Sequence, residues 1–561
     1  MKQGKCLKFI QLAAALLMVS QWMGAAPAQA ASVQVNPTIR VGLFYGGSAL
    51  PGANLLNEVG SGYRFGYFDG SLRFVPLGST AKTAISMVKD QTVYYGTVGG
   101  WAGYYDSISS GIAVGGYHLQ LPERYADFQS ASAAACRYAG AFPAWIDGAY
   151  YVRLGAYLDS ASAQNAQAAV PGASVTAPSG TGVSVVETGT GTILFQFDSA
   201  DGWALAVQPG LDDTVKTRTI FRGNTYYGAF QYRRSGGNLS VSNVLPMEDY
   251  VQGVILSEMS ASWPLEALKA QAVCARTYSY AKLLDQRHSS DGFDICNTVH
   301  CQAYRGIAGM SDASRQAVEA TYGQYIWYNG GLTEPVYFSC DGGATEDAGN
   351  IWYEDTPYLK GKTDPYEAAV SDKIERYSWS VTYTRQELTD LLNGKGYANS
   401  GIVDVQVTKT SPTGNVLAIT FTDSAGKSFT KTKEDCRTFL GLRSQRYSIS
   451  GGSGGYAVNG EGTLPSVSGV YAVDGSGTVS QLPSGQPYVI GGDAAVKQLA
   501  PSAASGGDTF TIAGTGWGHH VGMSQWGAYS MAQQGYTYWD ILQFYLSLIH
   551  ISEPTRRTPI S

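Results

Sequence analysis

Apolar and polar residues alternate along the first third of this chain. Between Gln34 and Val114 the stretches IRVGLFYG and YRFGYFDGSLRFVPL change character every second residue and are separated by glycine-rich turns, which predicts strands. From Gly116 to about Pro171 the pattern becomes mixed. YHLQL, YADFQSASAAACRYAG, AYYVRLGAY and SASAQNAQAAV predict strand, helix, strand and helix. Strands return from about Gly180 in TILFQFD, WALAVQP, TIFRG, YYGAFQYRR and LSVSN. At Pro246 the period lengthens. Val251, Val254 and Ile255 share one face at three- and four-residue spacing, so a helix is expected there, and a second from about Pro264 to Leu284. Further on, a helix is predicted over 311–322, strands around TEPVYFSC, a helix in TRQELTDLLNGKG, and a hairpin in VDVQVTKTSPTGNVLAITFTD. Residues 448–508 are rich in Gly and Ser, with a small β-hairpin unit inside (YAVDGSGTVSQL, PYVIGG), and suit a surface insertion. The sum is an α+β chain with mixed sheets and helices.

Composition narrows the class. The 561 residues suffice for two to four domains. Charged residues make up 15%, against roughly 25% in an average soluble protein. Glycine (69) and tyrosine (38) are abundant, which suits a protein that meets uncharged polymers outside the cytoplasm. A net charge of −6 supplies no basic footprint, so nucleic acid is not an expected partner. Lys2, Lys5 and Lys8 precede an apolar run from Ile10 to Met23 and the small-x-small site Ala28-Gln29-Ala30, the pattern of an export signal over residues 1–30. The run falls short of the about 20 residues that span a bilayer. The protein is therefore expected to be secreted or wall-associated, with a membrane tether only if this segment is retained. Six cysteines remain after the signal, too few for a disulfide scaffold.

Several residues offer chemistry. Glu258 stands three and four positions after Ile255 and Val254, on the apolar stripe near the helix end. A carboxyl there loses solvation and should keep its proton to higher pH, as a general acid acting on a glycosidic oxygen requires. The competing reading is a structural ion pair. Lys269 and Arg276 are two helical turns apart and so share a face, either to bind a carboxylate or tune Glu258, or as a solvated basic stripe. Cys296, His300 and Cys301 place two thiols and an imidazole within six residues. They suit a tetrahedral Zn²⁺ whose fourth ligand is distant or water, and equally a Cys296–Cys301 disulfide. Such a metal would be structural and would hold the loop bearing Gln302 and Tyr304 beside a cleft. In FSCDGG the glycines permit close backbone approach to a ligand beside Ser339, and Tyr358 and Trp352 offer faces for sugar stacking. In GWGHHVGMSQWGA, glycines mark a tight turn before a helix, with His519, Ser524 and Gln525 as hydrogen-bonding groups. Asp341 and Glu346 are the candidates for a second carboxylate.

Two long segments, residues 243–281 (NVLPMEDYVQGVILSEMSASWPLEALKAQAVCARTYSYA) and 514–545 (GTGWGHHVGMSQWGAYSMAQQGYTYWDILQFY), closely resemble the stage II sporulation protein D and amidase enhancer family. FSCDGG is similar to that family's Ser-Cys-x-Gly-Gly segment. The resemblance implies action on bacterial cell-wall glycan with Glu258 as the catalytic residue. It implies that the basic positions matched by Lys269 and Arg276 matter for activity, and that the Cys/His loop holds zinc. It further implies lytic cleavage of strands between N-acetylmuramic acid and N-acetylglucosamine, on glycan stripped of its peptides, leaving 1,6-anhydro ends. The rival from another class is an enhancer that binds the wall and stimulates a separate N-acetylmuramoyl-L-alanine amidase. The family has glycine where this chain has His520. Residues 115–176, with Tyr151-Val152-Arg153-Leu154-Gly155-Ala156-Tyr157 before an Ala/Gln-rich helix, are similar to sporulation-related repeat (SPOR) modules, which bind peptide-free glycan. The organisation expected is a signal (1–30), a β-rich part (31–114), the SPOR-like insertion (115–176), a catalytic core (177–447), the Gly/Ser-rich insertion (448–508), a closing motif (509–546), and a tail (547–561) that departs from the family pattern and resembles a non-native ending.

Overall fold

The computed structural model describes residues 34–210, 216–352, 354–451, 508–547 and 549–552, with short stretches between 456 and 498. The export signal, most of the Gly/Ser-rich segment and the last residues of the tail lie outside the described residues. The chain is a mixed α/β protein of several sheets and helices, in two compact units: Met1–Glu334 with His550–Ser561, and Pro335–Ile549. The boundary at 334 falls inside the stretch 177–447 that the sequence presents as one core. Among the described residues no helix is long and apolar enough to cross a membrane.

The first unit is organised by its opening strand, Thr38–Phe44. Ile39, Val41 and Leu43 are buried by alternation. On one side the strand pairs antiparallel with Asn238–Pro246, in register Thr38↔Pro246. On the other it pairs in parallel with Ile295–Cys296. Arg40 reinforces that second edge through a salt bridge of 2.6 Å to Asp294. The partner strand runs straight into helix α3 (Met247–Glu258), where Pro246 ends the strand, Glu248 and Asp249 occupy the first turn, and the Glu248 amide donates to Asn36 Oδ1. After a short break, Pro264 precedes helix α4 (Leu265–Asp285), whose residues Ala267 to Ala275 are all buried except Lys269. Burial on every side places this stretch of the helix inside the fold, with Gln271 and Arg276 among the enclosed residues. Helix α5 (Asp312–Ala320) packs on both and begins with a Ser311/Ser314 capping box.

Residues 117–176 form a unit with the order strand, helix, strand, strand, helix, strand, the helices being α1 (Phe128–Ala135) and α2 (Ser160–Gln167). Its strands lie in the order Ser174–Thr176, Tyr117–Gln120, Ala149–Tyr157, Ala141–Ile146, a split βαβ arrangement that continues into a ten-stranded sheet through Ile193–Asp198. Asp127 and Asp159 each cap their helix through a side-chain oxygen 2.7 Å from a backbone amide.

The second unit packs a meander (Ile402–Thr410, Val416–Asp423, Ser428–Thr432) and a three-stranded sheet (Ser378–Thr384, Thr509–Thr515, Tyr447–Gly451) around Leu388, Leu392, Ile419, Phe421, Phe510 and Ile512. Helix α6 (Arg385–Gly394) opens with a Thr384/Glu387 capping box. Helices α7 (Gln525–Gln533) and α8 (Tyr538–Tyr545) close the unit. Within the Gly/Ser-rich segment the described strands form three short hairpins rather than one, Tyr456–Val458 with Gly462–Leu464, Tyr471–Val473 with Val479–Gln481, and Tyr488–Ile490 with Val496–Gln498. In the tail, His550–Ser552 pairs with Tyr325–Tyr328.

Candidate active site

Glu258 is the last residue of α3. The chain becomes extended at Met259, which is buried, and this turn leaves Glu258 half-exposed rather than enclosed with Val251, Val254 and Ile255. The adjoining Ser257 hydroxyl donates to Gly253 O and accepts from the Arg305 amide at 3.2 Å, so the loop after Cys301 is stitched to the helix end that carries Glu258. Tyr250, buried one face inward, has its hydroxyl pushed well above the usual tyrosine range by burial, and the charge of Glu258 is among the groups that reinforce the shift.

Lys269 is partly exposed and paired with Glu266 at 2.7 Å. Arg276 has no exposed surface. Its Nε and Nη2 meet the two oxygens of Glu248 at 2.8 and 2.7 Å, and it also donates to Gln324 O and Thr321 Oγ1. Glu248 accepts from the Gly323 amide as well. The shared face expected for Lys269 and Arg276 therefore divides: one basic group reaches the surface, and the other ties α3 to α4 and the 321–324 turn.

Gln302 and Tyr304 are also enclosed. Gln302 Oε1 accepts from the hydroxyls of Tyr250 and Ser279, both at 2.8 Å. The Tyr304 hydroxyl donates to Asn243 Oδ1 at 2.7 Å, and its ring packs against Tyr250 with centroids 4.9 Å apart. Tyr304 lies so close to α3 that a Cβ on Gly253 would stand 2.4 Å from its ring. Both residues hold the loop against the helix.

The Cys/His loop gains a fourth member. His288, just beyond the left-handed cap at Gln286 that ends α4, brings its Nε2 to 3.3 Å from Cys301 Sγ. His300 Nδ1 lies 3.4 Å from Cys301 Sγ and 3.6 Å from Cys296 Sγ. The ligating atoms of His288, Cys296, His300 and Cys301 all fall within 4.8 Å of one another. Both cysteines are free thiols here. The hydrogen bond between the two thiols draws Cys296 down and holds the proton of Cys301 more tightly. Asp291 Oδ2, 3.0 Å from His288 Nδ1, orients that ring. Two sulfurs and two imidazoles so placed fit the tetrahedral donor set that Zn²⁺ favours. The sequence signal for His288 was available in its short spacing to Asp291 and to the cysteine loop, but nothing in the linear pattern shows that the chain doubles back there.

In the second unit, Ser339 and Tyr358 are half-buried. Cys340 is buried, and desolvation raises its thiol to about 12, which leaves it unreactive. His519 packs between Trp352 (5.0 Å) and Phe338 (5.4 Å), and its imidazole is lowered to about 4 by burial. His520, buried beside it, adopts φ 61°, a left-handed conformation that suits the glycine of the family pattern. Ser524 caps α7 by accepting from the Gly527 amide and donates to Glu367 Oε2 at 2.6 Å. Gln525, the next residue, is buried in the first turn.

Asp341, Asp364 and Glu367 converge in the same unit, all buried, with oxygens within 4.8 Å. This cluster was not legible beforehand. Burial, reinforced by the neighbouring carboxylates, pushes Asp341 well above the usual carboxylic range and raises Glu367. Glu346 is buried but saturated by Ser411, Thr413, Asn415 and Asn350, and these hydrogen bonds outweigh its desolvation and lower it. Neither Asp341 nor Glu346 stands open to solvent.

Against known proteins, residues 235–328 match the family described as Stage II sporulation protein. The chain is 29% identical over 309 residues to an amidase enhancer of Bacillus subtilis, covering 53% of this chain and 39% of that protein. It is 28% identical over 329 residues to stage II sporulation protein D of the same organism, covering 56% of this chain and 77% of that protein. An uncharacterized protein of Brachyspira hyodysenteriae is 28% identical over 376 residues, covering 67% of this chain and 81% of its own length. The match thus spans about two fifths of the amidase enhancer.

Proposed function

We propose, from the membership of residues 235–328 in the stage II sporulation protein family, that this chain is a lytic transglycosylase of peptidoglycan strands. The observation that carries the reading is the setting of Glu258: a half-exposed carboxyl at the end of α3, inside the matched segment, on a helix end that Ser257 ties to the Arg305 loop. Glu258 protonates the oxygen linking N-acetylmuramic acid to N-acetylglucosamine as that bond breaks. The C6 hydroxyl of the muramyl sugar attacks its own anomeric carbon, closing a 1,6-anhydro ring, and Glu258 takes back the hydroxyl proton. One carboxyl serves as acid and then as base. No second carboxylate is needed, which agrees with the burial of Asp341 and Glu346.

In this reading Arg276, Gln302 and Tyr304 are positioning residues, while Lys269 reaches the strand. Ser339, Tyr358, His519, Ser524 and Gln525 are assigned to strand binding by the family pattern, with Ser524 acting through its cap on α7. His288, Cys296, His300 and Cys301 would hold one Zn²⁺, whose contribution is to fix the loop that carries Gln302 and Tyr304. The 115–176 unit would hold peptide-free glycan, and the protein would work outside the cytoplasm in sporulation or wall remodelling. The test incubates the protein and its Glu258→Gln variant with peptide-free strands and reads products by mass spectrometry. The native protein should release 1,6-anhydro ends, and the variant should lose about 10²–10⁴-fold in rate. Reducing ends instead would sink the transglycosylase.

The likeness to an amidase enhancer favours a second reading, in which the chain binds the wall and stimulates an N-acetylmuramoyl-L-alanine amidase. Binding without cutting by both proteins, with a rise in the activity of an added amidase, would establish it.

A further inference from the structure

A cleft of 230 Å³ opens in the first unit among Phe44, Trp101, Arg222, Asn224, Asn297 and Arg305. It lies beside the loop whose Arg305 amide meets Ser257, next to Glu258. Its volume is below the roughly 300 Å³ at which drug-sized pockets begin, so it suits one sugar unit rather than a run of them. Trp101, at the tip of the Val93–Val98/Trp101–Tyr105 hairpin, is 61% exposed, an unusual outlay of indole on water. Arg222 and Arg305 are both exposed, and among the described residues neither has a carboxylate partner.

The backbone at Arg222 adds an independent sign. Phe221 pairs with Asn224, so Arg222 and Gly223 form a two-residue hairpin loop, with φ 50° and 80°. That turn is ordinarily filled by Asn-Gly or Gly-Gly, and an arginine there is strained. Strain held at a cleft lip points to a use for the side chain.

We infer that this cleft binds a carboxylate carried on the muramyl arm of the strand. Arg222 and Arg305 take the carboxylate, and Trp101 stacks on the sugar. Guanidinium pairs select carboxylates by geometry as well as charge. The inference rests on the glycan reading of the same site. The carboxylate has two sources, the free lactyl group of peptide-stripped muramic acid or the terminus of a stem peptide.

The test measures binding, not cleavage, and uses full-length Glu258→Gln protein so that the strands stay intact. Peptide-free strands, peptide-bearing strands and chitin oligomers, which carry no carboxylate, are titrated against it and against versions with Arg222→Asn or Arg305→Gln added. Each arginine change should weaken binding of the carboxylated strands at least about tenfold and leave chitin oligomers unaffected. Loss confined to peptide-free strands assigns the lactyl group, and equal loss on peptide-bearing strands assigns the stem peptide. Arg222→Asn should also unfold at the same or a higher temperature, since asparagine suits the turn, so weaker binding there is not misfolding. Unchanged binding, or equal loss on chitin oligomers, overturns the inference while the glycan reading stands. A protein that binds no strand at all overturns both.

Discussion

Arg276 and Glu248 make a buried pair, and removing one partner strands the other charge. Arg276→Met should destabilise the first unit by about 3–5 kcal/mol, and adding Glu248→Gln should recover much of that loss, both read by urea unfolding. A surface pair would show neither effect. The titrating residues of the second unit pull in opposite directions. His519 is held neutral down to about pH 4, whereas the unfolded imidazole takes a proton near 6.5. The unfolded state therefore binds more protons between those values, and stability falls as pH drops through that window. His519→Gln should flatten the decline of melting temperature between pH 6.5 and 4. Asp341 has the reverse sign. Its raised pKa means that the unfolded chain loses the proton first, so its contribution is lost as pH rises above the ordinary carboxylic range. Asp341→Asn keeps the Oδ1 that accepts from Gly343 and should raise the melting temperature at pH 8 while leaving it unchanged at pH 4.

The loop between α4 and α5 illustrates what a linear pattern can and cannot show. Its four candidate ligands predict one zinc per chain, measured by elemental analysis of the purified protein. Either Cys296→Ser or His288→Ala should lower that occupancy, and a disulfide in place of the metal would leave the His288 variant without effect. Cys296, His300 and Cys301 were readable because they are neighbours in sequence. His288 was not, because its role depends on the left-handed turn at Gln286 that aims it back at Cys301. The helices were legible wherever local chemistry decides them: Pro246 and Pro264 before α3 and α4, and the glycine that closes TRQELTDLLNGKG at the end of α6. The burial of Arg276 was hidden for the opposite reason. Spacing places it on a face of α4, and only packing of α3 and the 321–324 turn makes that face internal.

Across the whole molecule, the ligand cluster lies in one compact unit and His519, His520 and the buried carboxylate triad in the other. Calorimetry should therefore resolve two transitions, with a chelator lowering one and acidification from pH 6.5 lowering the other. A single transition shifted by both treatments would show the units to unfold together. The strand Thr38–Phe44 has a further consequence, in the order of events during synthesis. Its Arg40 bonds to Asp294 across 254 positions, and its other edge waits for Asn238–Pro246. It is made well before either neighbour and stays unpaired until most of the unit has been made. Until then its unpaired edges invite wrong partners, and the closure is of the long-range kind that folds slowly. A truncation beginning at Gly46 would spare Glu258, Lys269 and the four candidate metal ligands and still lose the strand that joins α3 to the cysteine loop.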